Sequence, residues 1–193
     1  MTIKLDLGCG KNKIGPDWTG VDCMSFEGVD VVLNLTEKLK SVKNKDLTIT
    51  HTYKAWPWED NSVDEMHCSH FVEHLTAGER IHFVNEAFRI LKPGSSCRVI
   101  VPHWASCRAY GDLTHQWPPV SEFWFYYLSE EWRAGNAPHN TDYKCNFACT
   151  WGYSMENSLL TKNQEHQQYA LQFFKEAAQD IIATLTKPLT SQV

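Results

Sequence analysis

Three groups of residues in this sequence could do chemistry. The first is Leu5-Asp6-Leu7-Gly8-Cys9-Gly10, the second is Asp22 in Gly20-Val21-Asp22, and the third is a scatter of histidines, chiefly His70, His103 and His115. Glycines directly after a buried strand let the chain turn sharply and bring its backbone close to a ligand. An acid at the tip of the following strand can then receive ribose hydroxyls, which is where Asp22 falls. Asn12 stands where a third glycine of the dinucleotide pattern would fall, and this counts against a nicotinamide cofactor. Imidazole titrates near neutrality, so His70, His103 and His115 are candidate general bases. For each, the plainer reading is a hydrogen bond that shapes a loop.

His67, His70, His74, His103, His115, Cys68 and Cys107 also invite a metal reading. They show no H-E-x-x-H and no paired-cysteine spacing, so no metal site is expected. Seven scattered cysteines without a C-x-x-C pair read as reduced thiols, not a disulfide framework.

The elements that must position these groups alternate between strand and helix. Ile3 to Leu7, Gly20 to Cys23 and Val29 to Leu33 read as strands joined by connections too short for ordinary crossover helices. Pro16 discourages a helix in the first gap. Glu37 to Ala55 reads as a polar surface excursion around a strand at Leu47 to Tyr53. Val63 to Cys68 is a strand. Ala77 to Leu91 is a helix with Ile81, Val84, Phe88 and Leu91 on one face, stopped by Lys92-Pro93-Gly94. Cys97 to Val101 is a further strand, Ser121 and Ser129 can each cap a short helix, and Tyr143 to Met155 holds two strand-like pieces. Glu165 to about Thr184 reads as a long amphipathic helix with Tyr169, Phe173, Ala177 and Ile181 on one stripe. Together these predict an α/β fold: a Rossmann-like, open, mostly parallel sheet flanked by helices, its N-terminal half trimmed. The expected organisation is one domain over 1–193, with a donor half (1–102), an acceptor-side segment (103–160) and a C-terminal helix (163–186).

The ordered motifs resemble those of a known family. Leu5 to Gly10 with Asp22 is similar to motifs I and II of the class I S-adenosylmethionine (SAM) methyltransferases. Trp56-Pro57-Trp58-Glu59-Asp60-Asn61-Ser62-Val63-Asp64-Glu65 resembles the element leading into strand four. His67-Cys68-Ser69-His70-Phe71-Val72-Glu73-His74-Leu75 resembles the stretch that follows it, and Arg89-Ile90-Leu91-Lys92-Pro93-Gly94 the one before strand five. The chain is identified as a member of the small type 11 branch, and its Asp112-Leu113-Thr114-His115 segment resembles short methyltransferases of bacteriophage genomes. The resemblance implies SAM as cofactor. It implies that Asp6 orients the loop of Gly8, Cys9 and Gly10, that Asp22 holds the ribose, and that Asn34, Leu35, Trp56, Pro57 and Trp58 flank the adenine. Ser69 and His70 would sit near the methyl group. Glu73 and His74 would fix a helical turn. Trp58 could equally plug the sheet edge.

Residues 103–122 are dense in His, Asp, Ser and aromatics, and as loops beside strand ends they are placed to shape an acceptor pocket. No Pro-Cys nucleophile and no Asn-Pro-Pro-Tyr grip is present, so the two common DNA-methylating chemistries are not indicated. A net charge of −5 without a basic run disfavours a phosphate-tracking surface, though a local basic groove leaves nucleic acid open. A small molecule or modified nucleotide is the expected acceptor, through an oxygen or nitrogen nucleophile. The alternative is a non-catalytic SAM-binding scaffold. No apolar run suggests a signal peptide or membrane span, so a cytoplasmic protein is expected. The C-terminal helix, the loop around Trp117 or a partner subunit is expected to cover the donor site.

Overall fold

The computed structural model describes residues 2–44 and 49–189. One mostly parallel sheet forms its centre. Strands β1 (Lys4–Leu7), β2 (Thr19–Asp22) and β3 (Val31–Val32) come first, then a separate antiparallel hairpin of β4 (Lys38–Lys43) and β5 (Ile49–Tyr53). Strand β6 (Val63–Ser69) leads through a single turn at Val72–His74 into helix α1 (Ala77–Ile90), which feeds β7 (Leu91–Pro102). Short helices α2 (Arg108–Gly111), α3 (Glu122–Tyr126) and α4 (Glu130–Asn136) precede β8 (Ala148–Met155). Helices α5 (Asn157–Leu160) and α6 (Gln164–Phe173) then lead to β9 (Ala178–Thr186). The seven-stranded sheet has the order β3-β2-β1-β6-β7-β9-β8. Its first five members are parallel, and β9 runs against both β7 and β8.

The trimmed first half is as expected: turns, not helices, join β1 to β2 and β2 to β3. The core is built on the sheet, where Leu5, Leu7, Val21, Met66, Val99 and Val101 are fully buried. Helix α1 starts where Glu79 reaches back to the Thr76 amide (2.9 Å) and hydroxyl (2.8 Å), a capping arrangement that satisfies a free donor of the first turn. Its buried face is Phe83, Val84, Ala87 and Ile90, rotated from the expected Ile81-Val84-Phe88 stripe. Ser129 caps α4 as expected, its hydroxyl accepting from the Trp132 amide. Of the surface excursion, residues 45–48 lie outside the described residues, and with them the first two positions of the strand expected at Leu47 to Tyr53. The remainder forms the hairpin, tied to α1 by a Tyr53–His82 stack (4.8 Å) and a Lys38–Glu79 ion pair (3.2 Å).

The C-terminal helix expected over 163–186 is corrected. Helix α6 ends at Phe173, Glu176 takes a left-handed φ of 61°, and the chain then enters β9 between β7 and β8. The stripe misled because a spacing of four residues keeps side chains on one face of both a helix and a strand. β-branched Ile181, Ile182, Thr184 and Thr186 favour the strand, and Ile181 and Leu185 are fully buried, each contributing about 1.5–3 kcal/mol. Tyr169 and Phe173 are exposed instead. The two strand-like pieces expected around Trp151-Gly152 are one continuous strand, β8.

Candidate functional site

Parallel strands finish along one rim, and that rim is where open α/β sheets bind ligands. Here it gathers the ends of β1, β2, β6 and β7, and the antiparallel β9 brings its start to the same place, with Asp180 opposite Pro102.

On the donor side, Asp6 is buried at the end of β1. One carboxylate oxygen accepts from the Ile14 amide (2.8 Å) and the other pairs with His67 Nδ1 (2.8 Å) on neighbouring β6. The carboxylate thereby anchors the far side of the glycine loop. Gly8 has φ 68°, and a Cβ there would lie 2.5 Å from the Phe71 ring. Its amide donates to the Val21 carbonyl (2.8 Å), as does that of Cys9 (3.2 Å). Gly10 has φ 53° and faces open space, with nothing within 4 Å of where its Cβ would stand. Asp22 accepts from the Gly10 amide (3.0 Å) and the Met24 amide (2.9 Å), so it clamps the loop to the tip of β2. Burial, with Asp6 and Asp22 nearby, pushes the Cys9 thiol up to about 11, so it is a neutral loop residue near pH 7. Gly10 is thus left-handed, unobstructed and beside a carboxylate, features compatible with a nucleoside-bearing ligand such as SAM.

The residues expected around adenine make local contacts. Asn34 accepts from the Thr36 amide (3.0 Å) and hydroxyl (3.1 Å). The Leu35 side chain is buried, and its carbonyl accepts from the Trp56 indole (2.9 Å). Trp58 packs edge-on against Trp56 with centroids 6.5 Å apart. Glu86, buried on α1, holds the Trp56 amide (2.6 Å), and Arg89 bonds Glu86, Asp60 and the carbonyls of Trp56 and Trp58.

On the acceptor side, Ser69 ends β6, and His70 follows with φ 53°, its amide bonded to the Ile100 carbonyl (2.9 Å). Its ring lies between two carboxylates, Glu73 (3.2 Å from Nδ1) and Asp180 (3.9 Å from Nε2). The hydrogen bond to Glu73 raises its pKa, outweighing burial, with the charges of Glu73 and Asp180 adding to the effect. Arg108 pairs with Asp180 at 2.8 Å. His103 is buried, and both its nitrogens are engaged: Nδ1 accepts from the Ala105 amide (3.2 Å), and Nε2 faces Glu122 (2.9 Å). His115 directs Nδ1 at the Ala109 carbonyl (3.1 Å), and its ring meets that of His74. The structure therefore brings His70 to the rim with Ser69, sets His115 beside Glu73 and His74, and locks His103 into the wall. Sequence reasoning missed Asp180, Arg108 and Glu122. Asp180 was hidden inside the stretch read as helix; Arg108 and Glu122 are ordinary loop and helix charges until the fold supplies their partners. A cleft of about 220 Å³ lies alongside, lined by Trp104, Ala105, Cys107, Tyr110, Phe173 and Phe174 among others.

Comparisons with known proteins bear on the fold and the family. A family model described as a methyltransferase domain matches residues 5–99. A search of curated proteins finds no match. Among solved structures, a SAM-dependent methyltransferase from Archaeoglobus fulgidus is 17% identical with a TM-score of 0.59, covering 96% of this chain and 86% of that one. The [4+2]-cyclase SpnF is 15% identical with a TM-score of 0.53, covering 97% and 75%. A geranyl diphosphate C-methyltransferase from Streptomyces coelicolor, solved with Mg2+, geranyl diphosphate and S-adenosyl-L-homocysteine, is 12% identical with a TM-score of 0.51, covering 97% and 71%. At such identities these structures speak to the fold, whereas the family model speaks to the donor half with its glycine loop. Matched in sequence across that half and in architecture along nearly its whole length, the chain belongs to the class I SAM-dependent methyltransferases.

Proposed function

We propose that this methyltransferase acts on an oxygen or nitrogen nucleophile of a small molecule or modified nucleotide, with His70 receiving the proton. Bound SAM supplies an electrophilic methyl group on its sulfonium. Gly8, Cys9 and Gly10 form the cradle for it, Asp6 and Asp22 hold that cradle in shape, and Asp22 also offers its carboxylate to the ribose. Asn34, Leu35 and Trp58 are the proposed adenine-side neighbours, and Ser69 borders the methyl position.

The reaction demands little beyond alignment, exclusion of water and removal of one proton. The observation that carries the reading is the position of His70. It sits one residue past the end of β6, its side chain 39% exposed between Glu73 and Asp180, on the rim that also holds Gly10 and Asp22. His103, with both nitrogens bonded, supports the wall and Glu122; His115 faces the loop that precedes it.

The test is transfer of a labelled methyl group from SAM into panels of nucleosides and small hydroxyl- or amine-bearing metabolites. Wild-type protein should label at least one class. His70→Ala should slow that transfer by about 10²-fold or more, in the range of a lost general base, while S-adenosylhomocysteine still binds. Equal labelling by His70→Ala would remove His70 from the mechanism.

A further inference from the structure

Glu73, His74 and His115 converge on the acceptor side, and each offers a ligand atom within 4.8 Å of the others. Glu73 is 4% exposed. One of its carboxylate oxygens faces His70, while the other, Oε2, is buried with no hydrogen-bond partner. A buried carboxylate oxygen without a donor is costly, and a cation is one of the few groups that could compensate it.

The two histidines are prepared in the same sense. The Thr114 hydroxyl gives its single proton to Asp112 (2.7 Å), so its oxygen can only accept from His74 Nδ1 (2.8 Å). His115 Nδ1 faces the Ala109 carbonyl, which can only accept (3.1 Å). Both rings are thus fixed with hydrogen on Nδ1 and a lone pair on Nε2. Neither Nε2 has a hydrogen-bond partner among the described residues. Orientation of a histidine through its second nitrogen is how metal-binding imidazoles are held. The rings already meet edge to face, with centroids 4.7 Å apart.

We propose that Glu73, His74 and His115 bind a divalent first-row transition metal through two imidazoles and one carboxylate. Such a set leaves coordination positions open, as in catalytic and not structural sites. Metal–ligand bonds of about 2.0–2.2 Å require the three groups to draw together. His74 and His115 are only partly buried, and small shifts of their side chains with their Nδ1 partners would bring the ligand atoms together. A surface depression lined by Tyr110, Asp112, Leu113, His115, Trp117 and Pro119, among others, gives access from solvent. The open positions suit an acceptor's hydroxyl or carboxylate oxygen. The site goes beyond the methyl-transfer reading: it shares Glu73 with the surroundings of His70, but none of its ligands belongs to the proposed donor cradle, so metal binding and donor binding are tested separately.

The test uses tag-free protein stripped with chelator and titrated with Co2+, followed by calorimetry and visible absorption. One equivalent should bind, with the d–d bands of nitrogen and oxygen ligation. His74→Ala and His115→Ala should each weaken binding by about 10-fold or more, and Asp112→Asn, which disturbs the Thr114 relay, by a smaller factor. S-adenosylhomocysteine affinity, measured on each variant, reports whether the fold and donor site survive. Absence of stoichiometric binding, or unchanged affinity in both histidine variants, would overturn the site. So would thiolate-to-cobalt charge-transfer bands, which would place the ion on cysteines.

Discussion

Gly8 and Gly10 share a left-handed backbone, but a methyl group would affect them differently. At Gly8 it would strike the Phe71 ring at 2.5 Å, whereas at Gly10 it would enter free space. Gly8→Ala should therefore lower stability by more than about 2 kcal/mol, combining overpacking with a strained φ. Gly10→Ala should cost only about 1 kcal/mol in folding, yet it should weaken S-adenosylhomocysteine binding at least tenfold. Thermal melts and calorimetry on the pair would separate the two effects. Asp22→Ala should weaken donor binding by roughly 1–3 kcal/mol if Asp22 is the proposed ribose acceptor, since the ribose hydroxyls and the Gly10 amide would both lose a charged acceptor. Unchanged affinity would move the pocket elsewhere. These residues were legible in the sequence because their chemistry is local: a strand, a bend and the next strand tip lie within 22 positions. Glu73, His74 and His115 were not read as a set. Two come from the turn after β6 and one from a loop some forty residues on, so no spacing motif joins them.

Among elements, α1 is held to the Trp56-Pro57-Trp58 segment chiefly through Glu86 and Arg89. Burial opposes the charge on Glu86, but Arg89 and the Trp56 amide outweigh it, and its carboxyl titrates below the ordinary 4.5. A depressed folded value means the stabilisation is complete above about 4.5 and is lost as pH falls through the lower folded value. Glu86→Gln should accordingly melt lower than wild type at pH 7, and the gap should narrow as pH falls below the ordinary 4.5 and through the depressed folded value. A gap independent of pH would mean that packing, not charge, holds the helix. The strand alternation and α1 were readable from pattern, as was the lack of helices between the first strands. The last element was not, because hydrophobic spacing alone cannot separate a buried strand from a helix of similar length. Ile181→Ala should cost about 2–5 kcal/mol, and amides of 178–186 should be among the slowest to exchange.

The whole molecule divides its labour along one sheet. Parallel strands present the glycine loop, and antiparallel β9, with β8 beyond it running the same way as β7, extends the rim toward the proposed acceptor side. Among the described residues no helix is long and apolar enough to cross a membrane. Saturating S-adenosylhomocysteine, at about 100 times its dissociation constant, should stabilise the protein by about 2.7 kcal/mol and raise the melting temperature by about 5–10 °C. NAD at equal concentration should leave it unmoved; the reverse result would discard the SAM assignment.

The placement of β9 between β7 and β8 also bears on how the protein is made. Strand β8 leaves the ribosome more than twenty residues ahead of β9, yet among the described residues its only sheet neighbour is β9. Until 178–186 emerge, the nascent chain carries one strand with no seat and a sheet edge at β7 with no cover. A stalled product ending before Ala178 should therefore be captured by chaperones that bind unpaired strands, although its entire donor half has already been synthesised.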